Sequence, residues 1–353
     1  MNNLQKPPKK ILIIRLQAMG DVVITLPYIK SLKENLPSST QIHFLTREET
    51  QEIPQKSTLF HKVFSIKGAR STKKQWFWVI LMLPKLLFEN YEMIADLQNN
   101  RLSRFVTKFL MFKNLFKKSP KNTVFFDKYS PNPAGERNKN TLNKLQIADI
   151  QFSKIIAPKS PKGTLKTGNL EDNLLVILNP AGLFENRNWH IENYLSFAKI
   201  WLKKYPKTMF LLLGIGKITE KAKFLEENLN ENSTKNCINL VNKTTTFEAF
   251  ELVGKADFVL SEDSGLMHFA WVQDVPLLAV FGATRSDWTK PLGQNSAYLD
   301  SSDMPCGNCM QEKCPRTENL NQNLNECMTR YTPEFIFEKA HEIFVRNTLQ
   351  INS

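Results

Sequence analysis

Two short polar clusters follow apolar runs of the chain and have the composition of ligand sites. Gly20-Asp21 comes after Lys10–Leu16, and Glu262-Asp263-Ser264-Gly265 comes after Asp257–Ser261. The first cluster places an acid where a helix is predicted to begin. The second would open a helix whose unpaired backbone N–H groups can hold phosphate or ribose oxygens. The second cluster therefore indicates a site for a phosphate-bearing ligand.

Asp21 also has a purely structural interpretation. Acidic residues are favoured in the first turn of a helix, and from the residues alone capping is the more frequent role. Gly20 is the only glycine before position 68, so the glycine pattern of a dinucleotide fingerprint is absent. An NAD-dependent dehydrogenase is therefore disfavoured.

Other polar residues of the second half could line the same ligand site. The small residues of Asn179-Pro180-Ala181-Gly182 would let the backbone approach a phosphate, which Arg187 could pair with. His268 lies about one helical turn after Ser264, so both could face one crevice. The alternatives are a turn with a solvated arginine and a structural histidine. Neither G-x-S-x-G nor H-E-x-x-H occurs, which argues against a triad hydrolase or a metalloprotease.

Four of the five cysteines lie close together in the sequence, in a segment with several prolines and a glycine. They are Cys306, Cys309, Cys314 and Cys327. Their spacing is compatible with a tetrahedral structural zinc site in a loop that lacks its own core. The residues leave structural zinc and reduced thiols both open, and no catalytic role is expected for them.

The elements that would position these residues alternate between strands and helices in both halves. Strands without polar alternation, separated by helical segments, indicate parallel sheets covered on both faces. We therefore predict an α/β protein with two doubly wound, Rossmann-like domains, in which ligands bind beyond the carboxyl ends of the strands. The predicted strands are Lys10–Leu16, Gln41–Thr46, Lys62–Lys67, Tyr91–Leu97, Asn122–Phe126, Leu174–Asn179, Thr208–Gly214, Cys237–Val241, Asp257–Ser261 and Pro276–Phe281.

The domain boundary is predicted in a segment, 155–172, that is rich in Pro, Lys, Ser and Gly. We assign 1–165 to an N-terminal domain, 166–332 to a C-terminal domain and 333–353 to a final helix and tail. The longest apolar run has eight residues, Trp76–Leu83, too few to cross a bilayer, which needs about 20. The polar start Met1–Lys10 is unlike a secretory signal, so a cytoplasmic protein is expected.

The charge of the chain is divided unevenly between its halves. Residues 1–170 hold 29 Lys and Arg against 11 Asp and Glu, a net charge of +18, whereas residues 171–353 hold 18 against 23, a net charge of −5. The basic half should attract an anionic partner such as a phosphorylated glycolipid, a nucleic acid or a membrane surface. Basic segments interleaved with aromatics in the manner of RNA-binding sheets are absent, so no nucleic-acid partner is expected.

Basic residues that could hold such a partner lie in the first half, close to predicted strand ends or on a helix predicted to begin close to residue 73. The candidates are Lys67, Arg70, Lys73, Lys74 and Arg101. A solvated basic face is the alternative interpretation. The neighbouring Trp76, Phe77 and Trp78 could rest at a membrane interface, and burial in the core is the equal alternative for them.

The order of these motifs resembles glycosyltransferase family 9, the ADP-heptose:lipopolysaccharide heptosyltransferases. The motifs that carry the resemblance are Gly20-Asp21 with Pro27, Asp263-Ser264-Gly265 with His268, and Phe281-Gly282-Ala283-Thr284. Asp96-Leu97-Gln98, with Arg101 and Ser103, is similar to a family segment that follows a central strand. The resemblance covers nearly the whole chain.

The resemblance implies a GT-B fold, in which the two domains face a cleft and the N-terminal one binds the acceptor. It implies an inverting transfer of heptose from ADP-heptose to the inner core of lipopolysaccharide, with no cofactor needed for catalysis. The alternatives are another nucleotide sugar, or a non-catalytic glycan-binding protein with the same fold. A peripheral contact with the cytoplasmic membrane face is compatible with the acceptor.

The resemblance also assigns roles to individual residues. It implies that Asp21 is the general base and that Arg187 faces the donor phosphates. The residues implied for the nucleotide-sugar pocket are Asp263, Ser264, Gly265, His268 and Thr284. Gln98 joins the basic residues of the first half as a candidate for acceptor binding.

Overall fold

The computed structural model describes residues 7–69, 71–112, 120–157, 173–182, 184, 188–231, 235–314 and 325–351. The chain divides into two compact units, Met1–Pro158 and Lys159–Ser353. The predicted boundary at 165/166 falls outside the described residues. Among the described residues, no helix has both the length and the apolar character that crossing a bilayer requires.

The first unit is a five-stranded parallel sheet with helices on both faces. Its strands are β1 (Lys10–Ile14), β2 (Gln41–Arg47), β3 (Lys62–Ile66), β4 (Met93–Asp96) and β5 (Asn122–Phe125). Its helices are α1 (Met19–Glu34), α2 (Glu52–Lys56), α3 (Thr72–Phe88), α4 (Arg101–Met111) and α5 (Ala134–Asn143). The strand order is β3-β2-β1-β4-β5, so the order reverses between β1 and β4.

The continuous apolar sequence of β1 is explained by burial on both faces. Ile11 and Ile13 pack in one apolar cluster with side chains of α1 and α5. Leu12 and Ile14, which point to the opposite face, pack in another with side chains of α3 and α4. The prediction of a sheet covered on both sides is confirmed.

The second unit repeats the architecture with six parallel strands. They are β6 (Leu174–Asn179), β7 (Thr208–Leu212), β8 (Cys237–Asn239), β9 (Phe258–Glu262), β10 (Leu277–Val280) and β11 (Ser296–Leu299). The helices are α6 (Ile191–Lys204), α7 (Thr219–Leu229), α8 (Thr246–Val253), α9 (Gly265–Val272), α10 (Ser286–Thr289), α11 (Glu326–Thr329) and α12 (Pro333–Ile351). The order β11-β10-β9-β6-β7-β8 reverses between β6 and β9.

Two features of the second unit complete its sheet and core. The edge strand β11 was not predicted, because Ser296–Leu299 is short and half-exposed. Helix α12 packs on α6 and contributes Ile336, Ala340 and Ile343 to the main apolar cluster. The final helix is therefore part of the second unit's core.

Candidate functional site

Each sheet has its reversal of strand order at a place where polar residues follow the strands. In open parallel sheets this position, beyond the carboxyl ends, is where a crevice forms and ligands bind. In the first unit the two central strands, β1 and β4, are followed by the turn before Asp21 and by Asp96-Leu97-Gln98. In the second unit they are β6 and β9, followed by Asn179–Gly182 and by Asp263-Ser264.

Asp21 lies in the first turn of α1 and binds two groups of the preceding turn. Its Oδ2 accepts a hydrogen bond from the Ala18 backbone N–H (2.9 Å), and its Oδ1 pairs with Arg15 Nη2 (2.8 Å). The hydrogen bond is the capping contact that the structural interpretation expects. About a third of the Asp21 side chain (32%) nevertheless remains exposed, so the carboxylate is open to a substrate.

The orientation of Asp21 is fixed by Arg15, which is nearly fully buried. The Arg15 guanidinium donates to the backbone carbonyl of Leu97, at the end of the neighbouring strand β4, and lies 5.1 Å from the centre of the Phe126 ring. These contacts leave the arginine little freedom to move. Arg15 therefore holds the Asp21 carboxylate at the reversal of the sheet.

Gln98 holds the same turn from the side of β4. Its Oε1 accepts hydrogen bonds from the backbone N–H groups of Leu16 (2.9 Å) and Gln17 (3.0 Å). The structure thus gives this candidate acceptor residue a contact within the protein. Asp96 is buried below it, and burial raises the pKa of its carboxyl although the Asn99 N–H donates to it (2.7 Å).

The predicted basic residues gather around the amino end of α3. Lys73 and Lys74 are exposed on the first turn of α3. Lys67 follows β3 and places its Nζ 5.2 Å from the Trp78 ring, and Arg101 opens α4 with its guanidinium 6.0 Å from the Trp76 ring. Arg70 lies outside the described residues.

The aromatic run Trp76-Phe77-Trp78 is divided between core and solvent. Trp76 and Trp78 are half-buried and pack against the apolar cluster under α3. Phe77 is 59% exposed. Complete burial in the core is therefore wrong for Phe77, and contact of the run with a membrane interface stays a prediction.

In the second unit a pocket of about 310 Å³ opens beyond the ends of β6, β7 and β8. Its walls include Asn179, Gly214–Ile218 with Lys217, Thr244–Thr246, and Ser264-Gly265 at the start of α9. The Ser264 side chain makes no capping hydrogen bond. The first N–H groups of α9 lack partners within the helix and offer donors to an anion at this end.

Ser264 is held in this wall by a buried amide. Asn179 Nδ2 donates to Ser264 Oγ (2.6 Å) and to Ser261 Oγ (2.8 Å), which links the ends of β6 and β9. An added Cβ at Gly265 would meet no atom within 4 Å, so this wall is open on the helix side. The arrangement leaves room for a ligand next to the helix start.

Glu262 lies beneath the loop between β6 and α6 and is almost completely buried. Its carboxylate accepts hydrogen bonds from the N–H groups of Gly182 (2.9 Å) and Trp189 (3.2 Å) and from the Tyr194 hydroxyl (3.1 Å). Burial raises the pKa of Glu262 to about 7, against the lowering effect of Lys221 and of these hydrogen bonds. Glu262 therefore ties the loop to the end of β9.

This contact explains Gly182 differently from the sequence interpretation. A Cβ at position 182 would collide with the side chains of Glu262 and Asn188. With its amide nitrogen facing Glu262, Asn188 accepts a hydrogen bond from Lys221 Nζ (3.0 Å). The small residue thus lets the loop pack on the buried carboxylate.

The other predicted donor residues are not all in the larger pocket. Asp263 and Thr284 line a smaller neighbouring pocket together with Gly182. His268 is 95% buried on α9, with its ring centre 6.2 Å from that of Trp271, and it does not line the larger pocket. Arg187 lies outside the described residues.

The four clustered cysteines differ in exposure. Cys314 and Cys327 are buried, and Cys306 and Cys309 are partly exposed. Within the described parts of the chain, no three His, Cys, Asp or Glu side chains are grouped so that they could hold a metal ion.

Four residues that shape the two sheet ends have no individual role in the sequence prediction. They are Arg15, Asn179, Lys217 and Glu262. Arg15, Asn179 and Glu262 stand inside or beside the quoted motifs, so a signal was present in the sequence. The roles of Arg15, Asn179 and Glu262 depend on partners about 70 to 85 positions away, such as the Arg15 contact with Leu97.

Comparison with known proteins agrees with this architecture. The family model described as "Glycosyltransferase family 9 (heptosyltransferase)" matches residues 132–319. "Lipooligosaccharide heptosyltransferase 2" of Campylobacter jejuni subsp. jejuni serotype O:2 is 26% identical over 343 residues, which are 94% of this chain and 97% of the relative.

Two solved structures show the same fold. Glycosyl transferase family 9 from Veillonella parvula DSM 2008 has a TM-score of 0.73 at 14% identity, covering 96% of this chain and 97% of that chain. The E. coli ADP-heptose lps heptosyltransferase II has a TM-score of 0.71 at 16% identity, covering 96% and 99%. The predicted fold class, two Rossmann-like units of the GT-B type, is confirmed.

Proposed function

This chain belongs to glycosyltransferase family 9 and is a glycosyltransferase, and we propose that it transfers heptose from ADP-heptose to the inner core of a lipopolysaccharide. The sugar and the acceptor class are those in the names of its relatives. The observation that carries the proposal is the pocket at the start of α9, where a serine hydroxyl, a lysine and the first N–H groups of the helix, which have no partner within it, surround one space.

We place the nucleotide diphosphate in this pocket. A diphosphate needs hydrogen-bond donors and positive charge, and the start of α9 together with Lys217 supplies both. Ser264, fixed by Asn179, would donate or accept at a ribose or phosphate oxygen. Asp263 and Thr284 in the smaller pocket would reach the sugar side of the donor, and Arg187 keeps its predicted role at the phosphates.

We propose Asp21 as the general base of a single displacement that inverts the anomeric carbon. The acceptor hydroxyl oxygen forms the new bond to that carbon while its proton passes to the Asp21 carboxylate. The bond to the diphosphate oxygen breaks at the same carbon, and ADP leaves with the bonding electrons. Arg15 keeps the carboxylate in place. The hydrogen-bond donors of the pocket at the start of α9 stabilise the charge that develops on ADP.

The acceptor is proposed to bind to the first unit through anionic groups. Four exposed basic residues follow strand ends or open helices at the carboxyl ends of the sheet that carries Asp21. They are Lys67, Lys73, Lys74 and Arg101. Phosphates and carboxylates of an inner-core glycolipid would complement their charge. Arg70 stays a candidate by sequence, and Gln98 acts through the turn that it holds.

Transfer is proposed to need no metal ion, because cationic side chains and a helix start can balance the diphosphate charge. Addition of EDTA should then leave turnover unchanged. Structural zinc at the four cysteines and a cytoplasmic location stay predictions from the sequence. Metal analysis of protein purified without chelator decides the first, and one equivalent of zinc is the result that the zinc interpretation requires.

The activity is tested by incubating the full chain with ADP-heptose and a heptose-free lipopolysaccharide acceptor, followed by mass spectrometry of the glycolipid. The expected product is the acceptor plus one heptose, and Asp21→Asn should form it far more slowly. A panel of other nucleotide sugars tests the alternative donor. Failure to consume any donor would favour a glycan-binding protein with this fold.

A further inference from the structure

Helix α3 carries apolar side chains on the face that points to solvent. Phe77, Leu81 and Phe88 are 59%, 51% and 76% exposed, and Ile80 is exposed beside them. Their spacing of three, four and seven residues places them in one stripe. The opposite face packs Val79, Leu83 and Leu86 into the core. A surface helix normally has a polar outer face, so α3 has more apolar surface than folding requires.

The adjacent helix α4 extends this surface. Phe105 and Phe109, one turn apart, are exposed, and their rings are 6.4 Å apart. The Phe105 ring contacts Trp76 of α3 edge-on, with 5.0 Å between ring centres. The two helices therefore present one apolar surface, which we call the α3–α4 face. Its apolar members are Phe77, Ile80, Leu81, Phe88, Phe105 and Phe109.

The charged residues of α3 and α4 all have the same sign. Lys73, Lys74 and Lys85 of α3 and Arg104 and Lys108 of α4 are exposed. Neither Thr72–Phe88 nor Arg101–Met111 contains an aspartate or a glutamate. Aromatic and aliphatic groups bordered by Lys and Arg match the boundary between the acyl chains and the headgroups of an anionic bilayer.

We propose that the α3–α4 face docks on the surface of an anionic lipid bilayer, with its phenylalanines inserted among the acyl chains and its lysines and arginines at the headgroups. A large exposed apolar patch on a water-soluble unit marks an interaction surface. The uniform positive border favours an anionic lipid surface over a second copy of this chain, whose identical border would repel it. The proposal concerns a surface separate from the donor pocket and goes beyond sugar transfer.

Vesicle cosedimentation of the full chain tests the proposal without any sugar substrate. The vesicles contain either phosphatidylglycerol with phosphatidylethanolamine or phosphatidylcholine alone. The chain should bind the anionic vesicles, and the double variant Phe77→Glu/Phe88→Glu should bind about tenfold more weakly or worse. Lys85→Glu/Lys108→Glu should weaken binding to anionic vesicles only, and added salt should have the same effect.

Two control variants change exposed residues of the segment 151–157, outside the α3–α4 face. Ile156→Glu matches the apolar change and Lys154→Glu matches the charge change, because both residues are exposed. Neither should alter vesicle binding. All variants should unfold at the wild-type temperature and should transfer sugar normally to a lipid-free acceptor, which separates this proposal from the proposed activity.

Two outcomes would overturn the proposal. In the first, the wild-type chain fails to sediment with anionic vesicles, or the Phe77→Glu/Phe88→Glu variant sediments as well as the wild type. In the second, sedimentation velocity shows a wild-type dimer that this variant dissociates, while no form of the chain binds vesicles. That result would assign the face to a second copy.

Discussion

The two sheet reversals of this protein place their carboxylates in opposite environments. At the reversal of the first unit, Asp21 is a third exposed and paired with a buried arginine. At the reversal of the second, Glu262 is buried and surrounded by two backbone N–H groups and a tyrosine hydroxyl. The same topology thus presents one carboxylate to solvent and uses the other as an internal anchor.

The difference shows which carboxylate can accept a proton from a substrate and which can stabilise a loop. A group that accepts a proton from a substrate must be reachable, and Asp21 is. A group whose oxygens are already taken by the protein cannot reach a substrate, but it fixes the loop that carries its donors. Glu262 therefore positions the loop between β6 and α6, and Asp21 is the reactive group in our account.

The largest effect is expected from Asp21→Asn, which should lower kcat about 100-fold or more, because the proton acceptor is lost. The replacement amide can still accept from the Ala18 N–H, so the helix start should persist. Single-turnover kinetics with ADP-heptose measures the loss.

The control for Asp21 is Glu136→Gln, which removes an acid from the first turn of α5 and should leave kcat unchanged. Asp21→Glu keeps the charge opposite Arg15 and should keep the wild-type stability while turnover falls. Near-normal turnover in both Asp21 variants would reduce Asp21 to a helix cap.

Glu262→Ala should lower the free energy of unfolding by about 3 kcal/mol, because buried donors lose their acceptor. Urea unfolding measures this change. Glu192→Ala, an exposed acid in the first turn of α6, is the matched control and should change the free energy by less than about 0.5 kcal/mol. Equal effects of the two substitutions would remove the anchor role.

The raised pKa of Glu262 predicts a pH dependence of stability. Because the pKa is about 7 in the folded chain and 4.5 ordinarily, the folded state binds more protons between these values, and stability falls as pH rises through this window. The wild-type free energy of unfolding minus that of Glu262→Gln should therefore drop by about 3 kcal/mol from pH ~4 to pH ~7.5. A difference that stays flat or increases would contradict the assigned burial.

The fold could be predicted from the sequence because buried parallel strands leave continuous apolar runs. Of the eleven strands among the described residues, ten were predicted, and β11 was missed because a half-exposed edge strand lacks such a run. The pocket wall at Ser264-Gly265 could also be predicted, since a strand end and a helix start are local features of the sequence.

Contacts between distant parts of the chain could not be predicted. Nothing in the sequence near Arg15 shows that the Leu97 carbonyl will hold it, and nothing near Glu262 shows that it will accept from Gly182 and Trp189. Whether Phe77 is exposed and Trp76 half-buried likewise depends on how α3 is oriented on the sheet.

The division of roles between the two sheet ends is tested most directly by calorimetric titration of ADP into three forms of the full chain. Asp21→Asn should bind ADP with the wild-type Kd. Ser264→Ala should bind ADP about tenfold more weakly, because the ligand loses a hydroxyl partner and the buried Asn179 amide loses one of its two acceptors. If Asp21→Asn weakens ADP binding and Ser264→Ala does not, the nucleotide binds elsewhere and the account is wrong.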